Sequence, residues 1–551
     1  RLIPPAETSL LLRTGTPVFL FSITVLVFGC LGKIGVDPHH DGLMFKSALD
    51  VAQGKVMFNE TFVQYGPLTT LFQAWALRIF GETLLVLKWQ TVFLYGILAW
   101  LLWAVWKRVL PAGLAFLGCL LYIALAPFYF VVLLPWSSAF ALVAQLLSLF
   151  FLFRFLETER KVFVFLCGLA VALTFWFRQP VGIMLCGATS LFMLFSLFFK
   201  PGGKANALTN FFIFQGGGLL VHGTMLGWLW QGGMLEFWWR EAFEVPRINA
   251  NLLGAFSLNS FVFDLLAIAD VLNVHVIIWT VLPLLTCVCF LKTMKKLVSQ
   301  GTLSLKDQTF LWLVLVALSS WAQYYPVPCS SHFFWGGIPM IGVWLFFFHD
   351  LFAFISGNKR TVAVLLTVIL FFAMDVAAHV NKAQQKLSRK YVTVEFPAVL
   401  SGINLLPSEA AEWTKVAEVI SDYYAKNPNG NVVTTDWDAL QLTFIRNSKN
   451  FHPMFVNWGT ITSTCFPEYS GQFFDYCSKY TPLILSFWNS DPSNHRRTFW
   501  DDDPINRQFL WRILFRGYLP VAILSEGRFA WESYRSILKG VWQSLGLKGD
   551  S

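Results

Sequence analysis

The sequence predicts a polytopic α-helical membrane protein with a smaller soluble α/β unit at its C-terminal end. Three observations carry this. Of 551 residues, 56% are hydrophobic and only 13% charged, against roughly a quarter charged in soluble domains. Windows of about 20 residues free of charge recur through the first two thirds of the chain. After residue 382 the composition changes and turn signals appear.

Apolar windows place about eleven spans near 17–36, 84–106, 111–134, 137–155, 161–178, 180–199, 208–230, 271–294, 308–325, 332–349 and 360–379. With a cytoplasmic N-terminus, the short inner loops carry Lys107-Arg108, Arg160-Lys161, Lys200 with Lys204, Lys292 with Lys295-Lys296, and Lys359-Arg360. Every one is basic, as the positive-inside rule requires, and this use of cations accounts for much of the net charge of +9 without nucleic acid. The orientation puts residues 37–83, the turn at Arg178-Gln179, 231–270, 325–331 and the tail on the outer side. Pro17–Ile34 has no small-residue cleavage site after it and reads as a retained first span.

Within the first outer loop, Leu68–Phe80 is apolar but contains Gln73 and Arg78, the pattern of a helix lying along the interface. Residues 251–270 read the same way. In the tail, Glu409–Lys426 is an amphipathic helix opened by Pro407-Ser408 with Ser408 as cap. Asn427-Pro428-Asn429-Gly430 is a turn, Asn431–Thr435 and Pro482–Phe487 are strands, and Ala439–Arg446 is a helix. The division expected is 1–382 for the membrane core, with outer loops 37–83 and 231–270, and 383–551 for the outer α/β unit. Of nine cysteines, seven lie in or beside apolar spans, where a thiol acts as a small hydrophobe. Cys465 and Cys477 have a spacing that permits a disulfide in an oxidising compartment.

The stretch that organises the chain is Asp37-Pro38-His39-His40-Asp41-Gly42, directly after the first span. Anchoring gives little reason for acids and imidazoles at a membrane surface; chemistry on a lipid-attached substrate does. Asp37 and Asp41 are four apart, on one face of a helical turn, and either can serve as a general base. Asp37 with Pro38 also fits a helix cap, a role that leaves Asp41 free for catalysis. His39 and His40 suit contact with phosphate or sugar and orientation of an aspartate. Their alternative is a divalent ion shared with the two aspartates, against which adjacent imidazoles on a regular helix do not readily reach one ion. No resident metal or other cofactor is expected. Arg178, after Phe175-Trp176-Phe177 at an outer boundary, is costly unless it faces a cavity, water or a partner, and its fork suits phosphate. Arg240 in Glu236-Phe-Trp-Trp-Arg-Glu241, Arg247, and His332 beyond Tyr325-Pro-Val-Pro328 lie in other outer stretches. Thr434–Asp438 follows a strand and reads as a capped helix start or a ligand-facing loop, and Asp501-Asp502-Asp503 as a solvated acidic turn. No Walker loop or dinucleotide fingerprint occurs, which disfavours an ATP-driven pump and a Rossmann-type nucleotide-sugar enzyme.

His40-Asp41-Gly42, Gly54-Lys55-Val56-Met57-Phe58 and Tyr65-Gly66-Pro67-Leu68, with Phe177-Arg-Gln-Pro180, Trp238-Trp239-Arg240, Pro246-Arg247 and the run from Tyr325 to Pro339, resemble the GT-C superfamily of integral-membrane glycosyltransferases. The chain departs from members that pair their acids as Asp-Asp, Asp-Glu or Glu-x-Asp, because Pro-His-His separates Asp37 from Asp41. The resemblance implies a GT-C membrane core with a cavity open to the outer side. It implies an undecaprenyl- or dolichyl-phosphate sugar donor, inverting in-line transfer to a glycan, lipid or protein, Asp37 and Asp41 as catalytic acids, and substrate contacts from His39, His40, Tyr65, Arg178, Gln179, Arg240, Arg247, Tyr325 and His332. The alternatives are a transporter or flippase of lipid-linked sugars, and a ligase of whole lipid-linked glycans. The bacterial cast of these motifs points to the inner membrane with a periplasmic tail. The sequon at Asn59-Glu60-Thr61 keeps the endoplasmic reticulum as the alternative.

Overall fold

A computed structural model describes residues 10–199, 204–252, 274–301, 303–324, 329–355, 358–434 and 439–445. Beyond these it describes 475–477, 479–487, 518–525, 528–534, 537–538 and 541. Tyr325, the stretch 435–438, Cys465, Asp501–Asp503 and, from residue 253 on, the expected surface helix at 251–270 lie outside the described residues.

The apolar windows are helical. In chain order they give α1 (Leu10–Gly32), α4 (Leu84–Trp106), α5 (Ala112–Ala124), α6 (Ser137–Thr158), α7 (Val162–Phe177), α8 (Gln179–Phe199) and α9 (Lys204–Gln231). Then follow α12 (Val274–Gln300), α13 (Leu305–Ser320), α14 (Ser330–Leu351) and α15 (Asn358–Ser388). Among the described residues, six stretches are long and apolar enough to cross a membrane: Gly15–Gly32, Leu84–Trp106, Ala112–Tyr129, Ser137–Thr158, Ser330–Phe354 and Lys359–Ser388. With so little water to satisfy polar groups, the core uses closed networks. Gln145 on α6 donates to Ser319 Oγ at 2.8 Å and Val316 O at 3.0 Å on α13, and accepts from Ser320 Oγ at 2.9 Å. Such interhelical bonds hold helices that the hydrophobic effect alone does not sort.

The window 111–134 is not one helix. It ends at Ala124, makes a 3-10 turn at Pro127–Tyr129, and runs irregularly to Trp136. Pro127 and Pro135 lack the N–H a helix needs there. Lysines brace this irregular segment. Lys386 of α15 donates to Phe128 O and Val131 O, and Lys88 of α4 to Leu133 O.

The stretch 37–83, expected as the first outer loop, folds as α2 (His40–Ala52) and α3 (Pro67–Phe80). On α3, Thr69, Thr70 and Gln73 point inward, where Gln73 donates to Pro135 O at 2.7 Å, while Phe72, Trp75 and Ile79 are exposed on the opposite face. An apolar face turned outward with the polar face buried is the geometry of a helix lying on the bilayer.

The second outer segment makes α10 (Leu235–Trp239), a π-helical turn Arg240–Glu244 and α11 (Val245–Leu252). After α15 come β1 (Val392–Thr393) and β2 (Asn404–Leu405), then α16 (Pro407–Lys426), β3 (Val432–Thr434), a 3-10 turn Ala439–Thr443, and β4 (Leu483–Phe487), β5 (Tyr518–Ser525) and β6 (Arg528–Ser533). The sheet order is β3-β4-β6-β5, with β3 and β4 parallel and the other pairs antiparallel. Two local expectations are corrected. The tail helix starts at Pro407, not after a Ser408 cap; Glu409 accepts from the Leu406 N–H at 3.1 Å, so the N-terminal donors are met one turn earlier. Where a helix is expected over 439–446, Ala439–Thr443 forms a 3-10 turn that packs on α2.

That contact joins the tail to the first outer loop. Phe45 and Leu49 of α2, Leu77 of α3 and Leu84 and Leu87 of α4 share one apolar cluster with Leu405, Trp413, Val416, Ile420, Leu440, Leu483 and Leu485. Leu440 N–H donates to Pro38 O at 3.0 Å, and a Cβ built on Gly42 would lie 2.1 Å from Leu440 N. Only glycine admits this approach. Gly42→Ala is expected to force the turn off α2 and cost about 1–3 kcal/mol, read as a lowered thermal midpoint of the purified protein; an unchanged midpoint would refute the contact.

Candidate active site

The Asp37–Asp41 turn gives its two carboxylates opposite surroundings. Asp37 caps α2, its Oδ1 accepting from the N–H of His39 at 3.1 Å and of His40 at 2.8 Å. Pro38 takes the position that needs no N–H. Its Oδ2 accepts from His40 Nδ1 at 3.0 Å, and both side chains remain partly open to solvent, 34% for Asp37 and 43% for His40. Partial burial pushes the Asp37 carboxyl up, but the hydrogen bonds and charge of His40 outweigh it and hold the group well below the ordinary carboxylate range.

Asp41 is fully buried. Its Oδ2 accepts from the Asp37 N–H at 3.0 Å and from Lys88 Nζ at 2.9 Å, and Lys88 is itself 1% exposed. Burial pushes the Asp41 carboxyl up while Lys88 pulls it down. The pair ties α2 to α4 and, through Leu133 O, to the irregular segment before α6.

From His40 a series of ring contacts leads to a cationic pocket. His40 lies 5.1 Å from Trp136, Trp136 lies 5.1 Å from Tyr65, and the Arg178 guanidinium sits 4.7 Å over the Tyr65 ring. Arg178 is the single extended residue between α7 and α8, at φ −153° and ψ 104°, and is 4% exposed. It donates to Ser137 Oγ at 3.2 Å. Tyr65 is delivered there because Gly66 packs against the end of α7; a Cβ would lie 1.8 Å from Trp176 O. Burial pushes the Tyr65 phenol up, with Arg178 opposing, so it is a neutral hydroxyl at neutral pH.

Around this junction the polar groups are mostly donors. Arg178 Nε, Ser138 Oγ and Gln179 Nε2 are buried without a hydrogen-bond partner among the described residues, and Trp136 Nε1 faces only the Tyr65 hydroxyl. The N-termini of α6 and α8 begin at Ser137 and Gln179. Buried donors without acceptors are rare in native proteins. Together with a guanidinium and two helix N-termini they make a site for an anion.

The other expected residues distribute unevenly. His332 stands on the first turn of α14, its ring 5.5 Å from Trp335, and Cys329 before it lies within electrostatic reach of Tyr65 and Arg178. Arg240 instead pairs with Glu236 at 2.6 Å, and Arg247 is exposed on α11. Sequence reasoning missed Lys88, Trp136, Ser137, Ser138 and Glu241. Lys88 had a usable signal, as the only charged residue within α4. Trp136-Ser137-Ser138 had none, since tryptophan is ordinary at membrane boundaries.

The family described as dolichyl-phosphate-mannose-protein mannosyltransferase matches over residues 64–216, which include Tyr65, Trp136 and Arg178. Among solved structures, ArnT from Cupriavidus metallidurans bound to undecaprenyl phosphate matches with a TM-score of 0.53 at 11% identity, covering 94% of this chain and 98% of that one. The archaeal oligosaccharyltransferase AglB from Archaeoglobus fulgidus, in complex with an inhibitory peptide and a dolichol-phosphate, matches at 0.46 and 12% identity, covering 87% and 70%. No curated protein matches the chain.

Removing one member of the buried pair leaves an uncompensated charge, so Lys88→Met is expected to cost about 3–5 kcal/mol. Lys88→Met with Asp41→Leu should recover much of that loss in thermal unfolding. A double variant no more stable than the single one would show that the pair does more than neutralise itself. For Asp37 the sign follows from its depressed folded pKa. Its contribution to stability is complete above the unfolded value, 3.8, and is lost as pH falls toward the folded one. Acid unfolding of Asp37→Asn should therefore lack part of the wild-type acid-side loss, measured by circular dichroism against pH.

Proposed function

We propose that this chain, a membrane glycosyltransferase of the GT-C superfamily by its family match and fold, moves a sugar from a polyprenyl-phosphate donor to an acceptor hydroxyl or amide on the outer face of the membrane, with Asp37 as general base. The observation that carries the reading is the pairing of an ionised, solvent-reaching carboxylate with a buried pocket of unmatched donors, the two linked through His40, Trp136 and Tyr65.

The roles follow from the surroundings. Asp37 stays ionised and is held in place by the α2 N–H groups, so it can take the acceptor proton as the acceptor atom attacks the anomeric carbon. The bond to the lipid phosphate breaks with its electron pair on the phosphate oxygen. Arg178 receives that charge, with Trp136, Ser138, Gln179 and the neutral Tyr65 hydroxyl as further donors. Attack opposite the leaving phosphate inverts the anomeric centre. His40 orients Asp37, and His39 and His332 stand toward the sugar. Asp41, sealed against Lys88, fixes the turn rather than meeting the acceptor. Arg240 and Arg247 serve the outer edge of the same site in this reading, and the C-terminal unit stands on the same side of the membrane. The similar ArnT structure, bound to undecaprenyl phosphate, supports the donor class. A bacterial inner membrane, with residues 383–551 in the periplasm, is the location assigned. In this reading the transfer uses no metal.

The test is transfer of radiolabelled sugar from a panel of polyprenyl-phosphate donors in proteoliposomes, with and without a chelator. Asp37→Asn is expected to keep donor binding and lose about 10²–10⁴-fold in kcat, and chelator to change nothing. Arg178→Ala is expected to raise the donor KM roughly ten- to hundredfold. Full turnover by Asp37→Asn would remove it as the base, and metal-restored activity after chelation would remove the metal-free reading.

A further inference from the structure

The second outer segment holds a carboxyl that the reaction above does not use. Glu241 lies in the π-helical turn Arg240–Glu244 and is fully buried. Such turns interrupt helices mostly where a side chain must be re-aimed. Its Oε2 accepts from the Val63 N–H at 2.7 Å. The same peptide unit is held from its other side: Ser47 of α2, also buried, donates from Oγ to Phe62 O at 2.6 Å. One peptide plane, Phe62–Val63, is thus fixed by side chains from two separate outer segments.

The consequence lies two residues on. Val63 is buried among Met57, Phe58, Trp176 and Trp238, and Gly66 is pressed onto Trp176 O. Between these two fixed points only Gln64 and Tyr65 remain, so the direction of the Phe62–Val63 plane sets where the Tyr65 ring lies under Arg178. A rotated plane would carry Tyr65 away from the guanidinium and open the pocket on that side.

We infer that Glu241 is a positioning residue for the anion pocket: with Ser47 it fixes the Phe62–Val63 peptide and so holds Tyr65 beneath Arg178, making lipid-phosphate binding depend on a carboxyl of the second outer segment. The inference rests on the pocket accepting a lipid phosphate. Burial pushes the Glu241 carboxyl well above the ordinary carboxylate range, with the Val63 N–H offsetting part of it, so glutamine is a close replacement in shape, charge and accepting ability.

Equilibrium binding of undecaprenyl phosphate to the full-length protein in detergent tests it, with kcat at saturating donor as the second readout. E241A is expected to weaken binding about tenfold, and E241Q to stay within about threefold of wild type. S47A should weaken binding in the same direction, and S47A with E241A should be no worse than the weaker single variant, because both act on one peptide. kcat should fall only together with binding, in E241A, S47A and the double variant, because the displaced Tyr65 hydroxyl also meets the leaving phosphate. If E241A does not fold, E241Q and S47A still decide. E241Q as damaging as E241A, S47A binding like wild type, or a loss of kcat at unchanged affinity would each overturn the inference. Wild type that binds undecaprenyl phosphate no better than R178A would instead remove the pocket, and the positioning role with it.

Discussion

The buried pair of Asp41 and Lys88 is the interaction on which the outer end of the molecule depends. A lysine near the start of an apolar helix is costly in a bilayer, and a carboxylate with no access to water is equally so. Each is tolerable only because the other is 2.9 Å away and because Leu133 O and the Asp37 N–H take further bonds. The pair therefore fixes three things at once: where α2 leaves the bilayer boundary, how α4 is rotated, and where the irregular segment before α6 runs. Trp136 and Ser137 follow that segment, so the buried donors around Arg178 inherit their position from the same contact.

The pair also separates two carboxylates that differ little in sequence. Asp41 spends its charge on Lys88. Asp37, four residues earlier, keeps a low pKa through His40 and the α2 N–H groups while retaining access to solvent. Asp37 thus keeps an open side next to His40, whereas Asp41 is closed off against Lys88.

The outer segments are not hung separately on the membrane core. The tail shares its apolar cluster with α2, α3 and α4, and Leu440 bonds directly to Pro38, inside the Asp37–Asp41 turn. From the other side, Glu241 and Ser47 hold the approach to Tyr65. The turn and the residues around Tyr65 are thus braced by elements remote in sequence, and α2 is buried from Asp41 to Asp50 between them.

By itself the sequence determined the helical membrane class, the positions of the apolar helices, the surface helix at 67–80, and the strands near 432 and 483, because these follow from periodicity, charge exclusion and turn residues acting locally. It also marked Asp37, His40 and Arg178, ionisable residues at a membrane boundary, and Tyr65 through the Tyr-Gly-Pro-Leu resemblance. It left the two aspartates equivalent, since spacing of four carries no information about burial. Only the tertiary structure gave them different surroundings, by bringing Lys88 from another helix onto Asp41. It likewise gathered Trp136, Ser138 and Gln179 beside Arg178 and set Glu241 on Val63, 178 positions apart in the chain. Contacts of that range depend on how helices pack, and packing leaves no periodic trace in the residues that meet.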